Sequence, residues 1–258
     1  MGNWLRNLRF WLFVATFISC AFAATWYAGQ FDIYNPLSIK YGLPFAFALM
    51  FILLSHELGH YFAAKWWGVE ATGPMFIPLP IIPLGTLGAM ITMNAKTIPN
   101  RKALFDIGVA GPWAGTIATI ALLFPRWGDY LTQHSVDQIS FAIVIGVLLT
   151  LANLMPFGQL DGGHVLYAAT GAHYQRVKWV IMILAATFIL VSQKIIGPAT
   201  VLIFIFFGGI NHWPTNDDME DLDAKRKFLV ALTVLLFVSL TVIISLISHV
   251  IFSGFRPH

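Results

Sequence analysis

Charged residues are the scarcest class in this sequence. Asp, Glu, Lys and Arg make up 10% of 258 residues, where a soluble domain carries about 25%. With 58% of the chain hydrophobic, a water-soluble fold could not cover its apolar surface, so that class is excluded and lipid is the natural solvent. Cysteine is almost missing: Cys20 stands alone, which excludes an intrachain disulfide. Its Phe-Ile-Ser-Cys context is a poor lipidation signal, and it reads as an apolar core residue. No basic run with interleaved aromatics occurs, so the net charge of +3 and the pI near 9.0 do not point to nucleic acid. Internal repeats, low-complexity segments and a stretch long enough for a separate soluble domain are also lacking. Arg6 stands where N-myristoylation of Gly2 would call for Ser or Thr.

What the sequence does have is long apolar runs. Spanning a bilayer takes about 20 such residues, and the candidates are 10–28, 44–67, 103–124, 139–156, 177–193, 198–211 and 228–252. Arg6, Arg9 and Ala21-Phe22-Ala23 imitate a signal peptide with its cleavage site. The run continues to Tyr27, however, and is long enough to stay as a first helix. The pair within 177–211 is separated only by Lys194 to Gly197, which leaves one broken unit or two spans. The predicted class is an all-α polytopic membrane protein: six to seven transmembrane helices with a small membrane-associated β-hairpin, in one domain over 1–258.

Seven spans with the N-terminus inside put eleven Lys and Arg on the inner side: Arg6, Arg9, Lys65, Lys96, Arg101, Lys102, Arg176, Lys178, Lys225, Arg226 and Lys227. Four fall outside: Lys40, Arg126, Lys194 and Arg256. That asymmetry supports the N-inside orientation. Residues 70–100 break the helical pattern. Pro74, Pro78, Pro80, Pro83 and Pro99 exclude a helix interior, and Gly85 to Asn94 is uncharged and partly β-branched, as a strand or hairpin would be, with an ordinary interfacial loop as the alternative. Irregular backbone at membrane depth survives only against protein or a watery cavity.

Two motifs carry chemistry. His56-Glu57-Leu58-Gly59-His60 lies in the second span. Residues four apart on a helix share a face, so both imidazoles can reach one Zn²⁺ at about 2.0–2.1 Å. Glu57 projects beside them, where its carboxylate can take a proton from water. Ionisable groups in an apolar helix are costly and mark function by default; a structural polar cluster is the bland alternative. The second motif runs from Asn153 through Pro156 to Leu160-Asp161-Gly162-Gly163-His164, within the 139–170 segment. Pro156 interrupts the span, Gly162-Gly163 permits a turn, and Asp161 supplies the third donor that a hydrolytic zinc site needs. Both motif-bearing spans run outside to inside. HELGH then lies roughly 12–18 Å in from the cytoplasmic helix end at Gly68.

The paired motifs, HELGH and NxxPxxxLDGG, resemble the site-2 protease family of intramembrane metalloproteases. The stretches 99–115 (PNRKALFDIGVAGPWAG) and 211–223 (NHWPTNDDMEDLD) are similar to the branch without an inserted PDZ domain. The resemblance implies that His56, His60 and Asp161 bind one zinc per chain, and that Glu57 is the catalytic acid/base. It implies that Asn153 lies by the site as a stabiliser of the tetrahedral intermediate. The 73–97 segment would match a membrane-embedded hairpin that holds substrate, making Gly85, Leu87, Gly88, Met90 and Thr92 the candidate substrate-binding residues. A helical substrate hides its peptide bonds, so a strand edge that keeps it extended suits the task. The implied partners are a transmembrane protein substrate and the lipid bilayer. The implied location is a bacterial cytoplasmic membrane, with the site toward the cytoplasm; no oligomeric state is implied.

The remaining polar residues read more plainly. His164 is expected to support or pack rather than ligate, since a fourth protein ligand would close the water position. Asp106 reads as a helix-terminal charge. The acidic run 217–223, followed by Lys225-Arg226-Lys227, reads as a solvated loop whose basic end faces anionic lipid. GPWAG at 111–115 reads as a close-packing face. His134, His173, His212, His249 and His258 read as solvated or interfacial. A transporter or channel is the rival class, but its ionisable residues should line a path across the bilayer. A desaturase-like enzyme would need several histidine clusters, and a CAAX-type peptidase a downstream Glu ligand in place of LDGG.

Overall fold

A computed structural model describes residues 3–126, 137–192 and 215–254. The helices in chain order are α1 (Asn3–Tyr27), α2 (Leu43–Trp66), α3 (Arg101–Leu123), α4 (Gln138–Asn153), α5 (Asp161–Thr170), α6 (Tyr174–Ser192) and α7 (Ala224–Gly254). Among the described residues, four helices are long and apolar enough to cross a membrane: α1, α2, α3 and α7. The chain is an integral membrane protein. The expected total of six to seven crossings is therefore only partly visible. The apolar α4 has 16 residues, about 24 Å of rise against a core of about 30 Å. The 198–211 segment and most of the 125–138 loop lie outside the described residues.

Local chemistry sets the helix ends. Pro44 sits in the first turn of α2, where its missing N–H leaves no gap. The same helix closes with Gly68 N–H on the Lys65 carbonyl and Val69 N–H on that of Ala64, a Schellman ending. The Asn100 side chain caps α3 by accepting the Ala103 N–H at 3.0 Å, and Asp137 caps α4 through the Ser140 N–H at 2.8 Å.

Between α2 and α3 lies the hairpin expected from the prolines. β1 (Met75–Pro78) and β2 (Thr86–Met90) pair antiparallel, with Phe76 opposite Ala89 and an irregularity before the Pro78–Thr86 pair. The hairpin is fastened along α1. Phe13 meets Phe76 edge to face at 5.2 Å, the Ser19 hydroxyl donates to the Gly85 carbonyl at 2.5 Å, and Tyr27 donates to the Ile81 carbonyl at 2.8 Å. From Phe13 to Tyr27, α1 rises about 21 Å, so the hairpin runs back through membrane depth from the Trp67 end of α2. Gly85 is buried with φ +70°, and a Cβ there would strike the Cys20 backbone. That contact sets where β2 begins.

Two apolar clusters frame the interior. One joins α1, α2, α4 and the hairpin through Cys20, Phe45, Leu49, Phe76 and Ala142. The other joins the end of α2 to α3 and α5 through Ala64, Val69, Leu104, Phe105 and Ala168, with Leu222 from the segment before α7. The polar residues of α2 lie between them.

Candidate metal centre

His56 and His60 stand one turn apart on α2, with their Nε2 atoms 3.1 Å from each other. Asp161 is the first residue of α5 and is brought there by the tight passage that follows α4. The Gly162 backbone runs so close to the carbonyls of Leu154 and Met155, and Gly163 to those of Phe157 and Gly158, that a side chain at either would collide. The Asp161 carboxylate then lies 3.1 Å from His56 Nε2 and 3.2 Å from His60 Nε2. His56, Glu57 and His60 are each 5–6% exposed.

The donor set fits a tetrahedral zinc ion. The two Nε2 atoms, 3.1 Å apart, have nearly the spacing of about 3.3 Å that bonds of about 2.0–2.1 Å give neighbouring tetrahedral ligands. The carboxylate turns Oδ2 to His56 and Oδ1 to His60, and one donor atom from each residue lies within 4.8 Å of the others. Tautomer points the same way. His60 Nδ1 lies 2.7 Å from the Ile107 carbonyl, which can only accept, so the proton belongs on Nδ1 and Nε2 keeps its lone pair. Three donor atoms with one face left open are what a hydrolytic site requires.

α3 makes room for this arrangement. The His60 ring occupies the space that a side chain at Gly111 would fill, and a Cβ at Gly115 would come within 3.2 Å of His56 Nδ1. Sequence reasoning assigned GPWAG to close helix packing, and the packing is there, with Gly59 of α2 lying against Ala110 and Ala114; Gly111 and Gly115 add the room that the imidazoles take.

A cleft beside the triad is lined by His56, Glu57, Asn153 and, from the hairpin, Leu87, Gly88 and Ala89. The Asn153 amide is 3.4 Å from His56 Nε2, and the Ile91 N–H is directed at the Glu57 carboxylate. Of the substrate-binding candidates, Leu87 and Gly88 reach this cleft, Leu87 being 63% exposed. Met90 is exposed and pairs with Met75. Gly85 and Thr92 are engaged elsewhere. The Gly85 carbonyl is taken by Ser19 and the Leu79 N–H, while Thr92 exchanges bonds with Thr72. Sequence reasoning missed Ala89, the Ile91 N–H and the Ile107 carbonyl, because backbone groups have no residue-type signature.

Asp106, Arg226 and Lys178 sit differently from what the sequence suggests. Asp106 is no simple helix-end charge, because it accepts from Trp67 Nε1 at 3.0 Å and from Arg226 Nε at 2.9 Å and Nη2 at 2.6 Å. Arg226 therefore faces the protein rather than lipid, while its neighbours Lys225 and Lys227 are exposed. Lys178, counted among inner-loop charges, is buried in α6. His164 stands outside the triad with its Cβ against Gly108, and His173 is exposed as expected. His134, His212 and His258 lie outside the described residues.

Fold and site together define a helical membrane protein whose His56, His60 and Asp161 are grouped so that they could hold a metal ion. The model of peptidase family M50 matches residues 44–126 and 124–192, more than half of the chain, and the chain belongs to that family. It is 27% identical over 237 residues to the chloroplastic "Probable zinc metalloprotease EGY1" of Arabidopsis thaliana, covering 76% of this chain and 42% of that protein. A zinc metalloprotease of Methanocaldococcus jannaschii is 29% identical over 169 residues, covering 62% of this chain and 43% of its own length. The chain thus spans less than half the length of these curated relatives. With chloroplast and archaeal proteins among them, the similarity does not select a bacterial membrane.

Proposed function

We propose that this chain is an intramembrane zinc metalloprotease that hydrolyses peptide bonds in or near transmembrane segments of membrane proteins. The observation that carries the reading is the convergence of His56, His60 and Asp161 at 3.1–3.2 Å with Glu57 beside them, all within apolar helices. His56, His60 and Asp161 would hold one zinc per chain. Bound there, zinc would make water a nucleophile near neutral pH and polarise the scissile carbonyl.

The chain's own groups supply the rest. Glu57 takes the proton of the attacking water and passes it to the leaving amine, the exchange expected of a carboxylate shielded from bulk solvent. The Asn153 amide, 3.4 Å from a proposed ligand, donates to the oxygen on which charge develops. The outer edge of β2 holds the substrate extended. Ile91 N–H already faces Glu57, and by the two-residue period of a strand Ala89 shares that edge. Six to seven crossings with the N-terminus and the site toward the cytoplasm complete the arrangement, supported by the Lys and Arg asymmetry.

Glu57→Gln tests this reading. Zinc content should remain near that of wild type, while cleavage of a model transmembrane substrate falls by about 10²–10⁴-fold, the usual worth of general acid–base catalysis. Comparative membrane proteomics of the two forms should then show the substrate as a transmembrane protein that accumulates with the variant alone. Retention of full cleavage by Glu57→Gln would remove the reading.

A further inference from the structure

The segment before α7 has no part in the chemistry above, yet it is bonded to α3 and α5, two of the elements that build the metal centre. Residues 215–217 run beside the stretch that leads from the hairpin into α3. Asn216 N–H donates to the Ile98 carbonyl at 3.2 Å, Asp217 N–H to that of Pro99 at 3.0 Å, and the Asn216 amide to that of Lys96 at 2.9 Å. Leu222 is buried at 4% exposure between α3 and α5.

Charged groups join this segment to three helices. Arg101 at the start of α3 is only 6% exposed. Its Nε donates to the Ala168 carbonyl of α5 at 3.0 Å, and its other nitrogens reach the Asp218 carbonyl at 3.1 Å and the Asp221 carboxylate at 3.0 Å. Tyr167 of α5 donates to Asp218 at 2.7 Å. Burial opposes the charge of Asp218, but hydrogen bonds from Thr215 and Tyr167 and the nearby Arg101 hold its carboxyl below the ordinary value. Arg226, at the start of α7, grips Asp106 with two nitrogens, also pairs with Asp223, and lies over the Trp67 ring at 5.6 Å. Trp67 caps α2 and donates to the same Asp106.

Asp106 immediately precedes Ile107, whose carbonyl orients His60. The bonded path therefore runs from Arg226 through Asp106 to the turn of α3 that fixes the His60 ring. Arg101 extends the same control to the far end of the helix that begins with Asp161. Guanidinium suits both places, because its planar fork fixes direction as well as charge. A solvated acidic loop would need none of this geometry.

We propose that Arg226 is a positioning residue for the metal triad: with Asp106 it locks the ends of α2, α3 and α7 in the spacing that keeps His60 aimed at the metal. The inference rests on the zinc reading above, and its test uses metal affinity rather than proteolysis so that the two can fail separately.

Full-length protein would be purified in detergent, stripped, checked for monodispersity, and titrated with zinc against a competing chelator. Arg226→Gln should weaken zinc binding by about tenfold, the lower end for partners that orient a ligand. Arg226→Lys, which keeps the charge but loses the fork, should fall between Gln and wild type. Lys227→Gln, an exposed neighbour, should match wild type. The swap Asp106→Arg with Arg226→Asp should recover part of the loss that either single change causes, since the ion pair returns while Trp67 Nε1 is left without its acceptor. Wild-type zinc affinity in a folded Arg226→Gln would overturn the proposal, and so would a loss that neither Lys nor the swap relieves, since that is a loss of fold alone. Absence of zinc binding by the wild type would instead remove the functional reading.

Discussion

The metal triad and the β2 edge share one cleft but are built of opposite materials. The triad consists of side chains on helices, buried to 5–6% exposure at His56 and His60 and held from behind by the Ile107 carbonyl and the bare backbone at Gly111. The β2 edge is backbone: Leu87 is 63% exposed, and the groups proposed to hold substrate are N–H donors, for which side-chain identity matters little. A donor set that must converge on one ion at about 2.0–2.1 Å tolerates almost no displacement, whereas a strand edge can accept many sequences. The proposed chemical centre is thus specified by residue type, and the proposed substrate surface by main-chain geometry.

The largest effects should come from removing a ligand. His60→Ala and Asp161→Ala should each take zinc from about one per chain toward zero and cleavage below detection. Elemental analysis of purified protein beside a cleavage assay checks both at once. Full zinc in Asp161→Ala would strike that residue from the ligand set and leave the triad as a pair. Gly111→Ala sharpens the same side of the comparison, because the new methyl would occupy the His60 ring position. It should lose zinc although it removes no donor.

This contrast also explains what could be read in advance. The meeting of His56, His60 and Asp161 was legible because metal chemistry restricts residue type and spacing, and α2 needed only its 3.6-residue period to bring the histidines together. The hairpin was legible as a break in the helix pattern, from Pro74 to Pro83. Which residues of 85–93 face the cleft was not. That depends on a register irregularity between Phe76 and Pro78 and on Gly85 docking against Cys20, contacts between segments 66 residues apart. The roles of Asp106 and Arg226 were hidden for the same reason: they pair across 120 residues, and charge alone suggested a lipid-facing end.

The hairpin side of the comparison predicts a different signature. Ala89→Pro deletes an N–H on the outer edge, and cleavage should fall by about tenfold, from the loss of about 1.5 kcal/mol. Ile91→Pro deletes the N–H that faces Glu57, so its loss reads that carboxylate as well as the edge. Zinc content should stay near wild type, and Ile91→Ala, which keeps the N–H, should do far less harm. Cleavage of a model transmembrane substrate by zinc-loaded variants is the measurement. Proline tolerated at both positions would make the edge a cover rather than a holder.

The smallest effect is expected where the hairpin meets α1. Ser19 donates to the Gly85 carbonyl at 2.5 Å, one residue before β2 begins. Ser19→Ala removes this donor but does not orphan the carbonyl, which still accepts the Leu79 N–H at 2.9 Å. The loss is then one ordinary hydrogen bond, about 1 kcal/mol, equivalent to about fivefold. Because the bond restrains the strand and touches no ligand, the change should appear in KM for a transmembrane substrate, with kcat and zinc content unchanged. A fall in kcat at constant KM would mean that the hairpin anchor acts on the chemistry itself, and the division between a side-chain centre and a backbone edge would not hold.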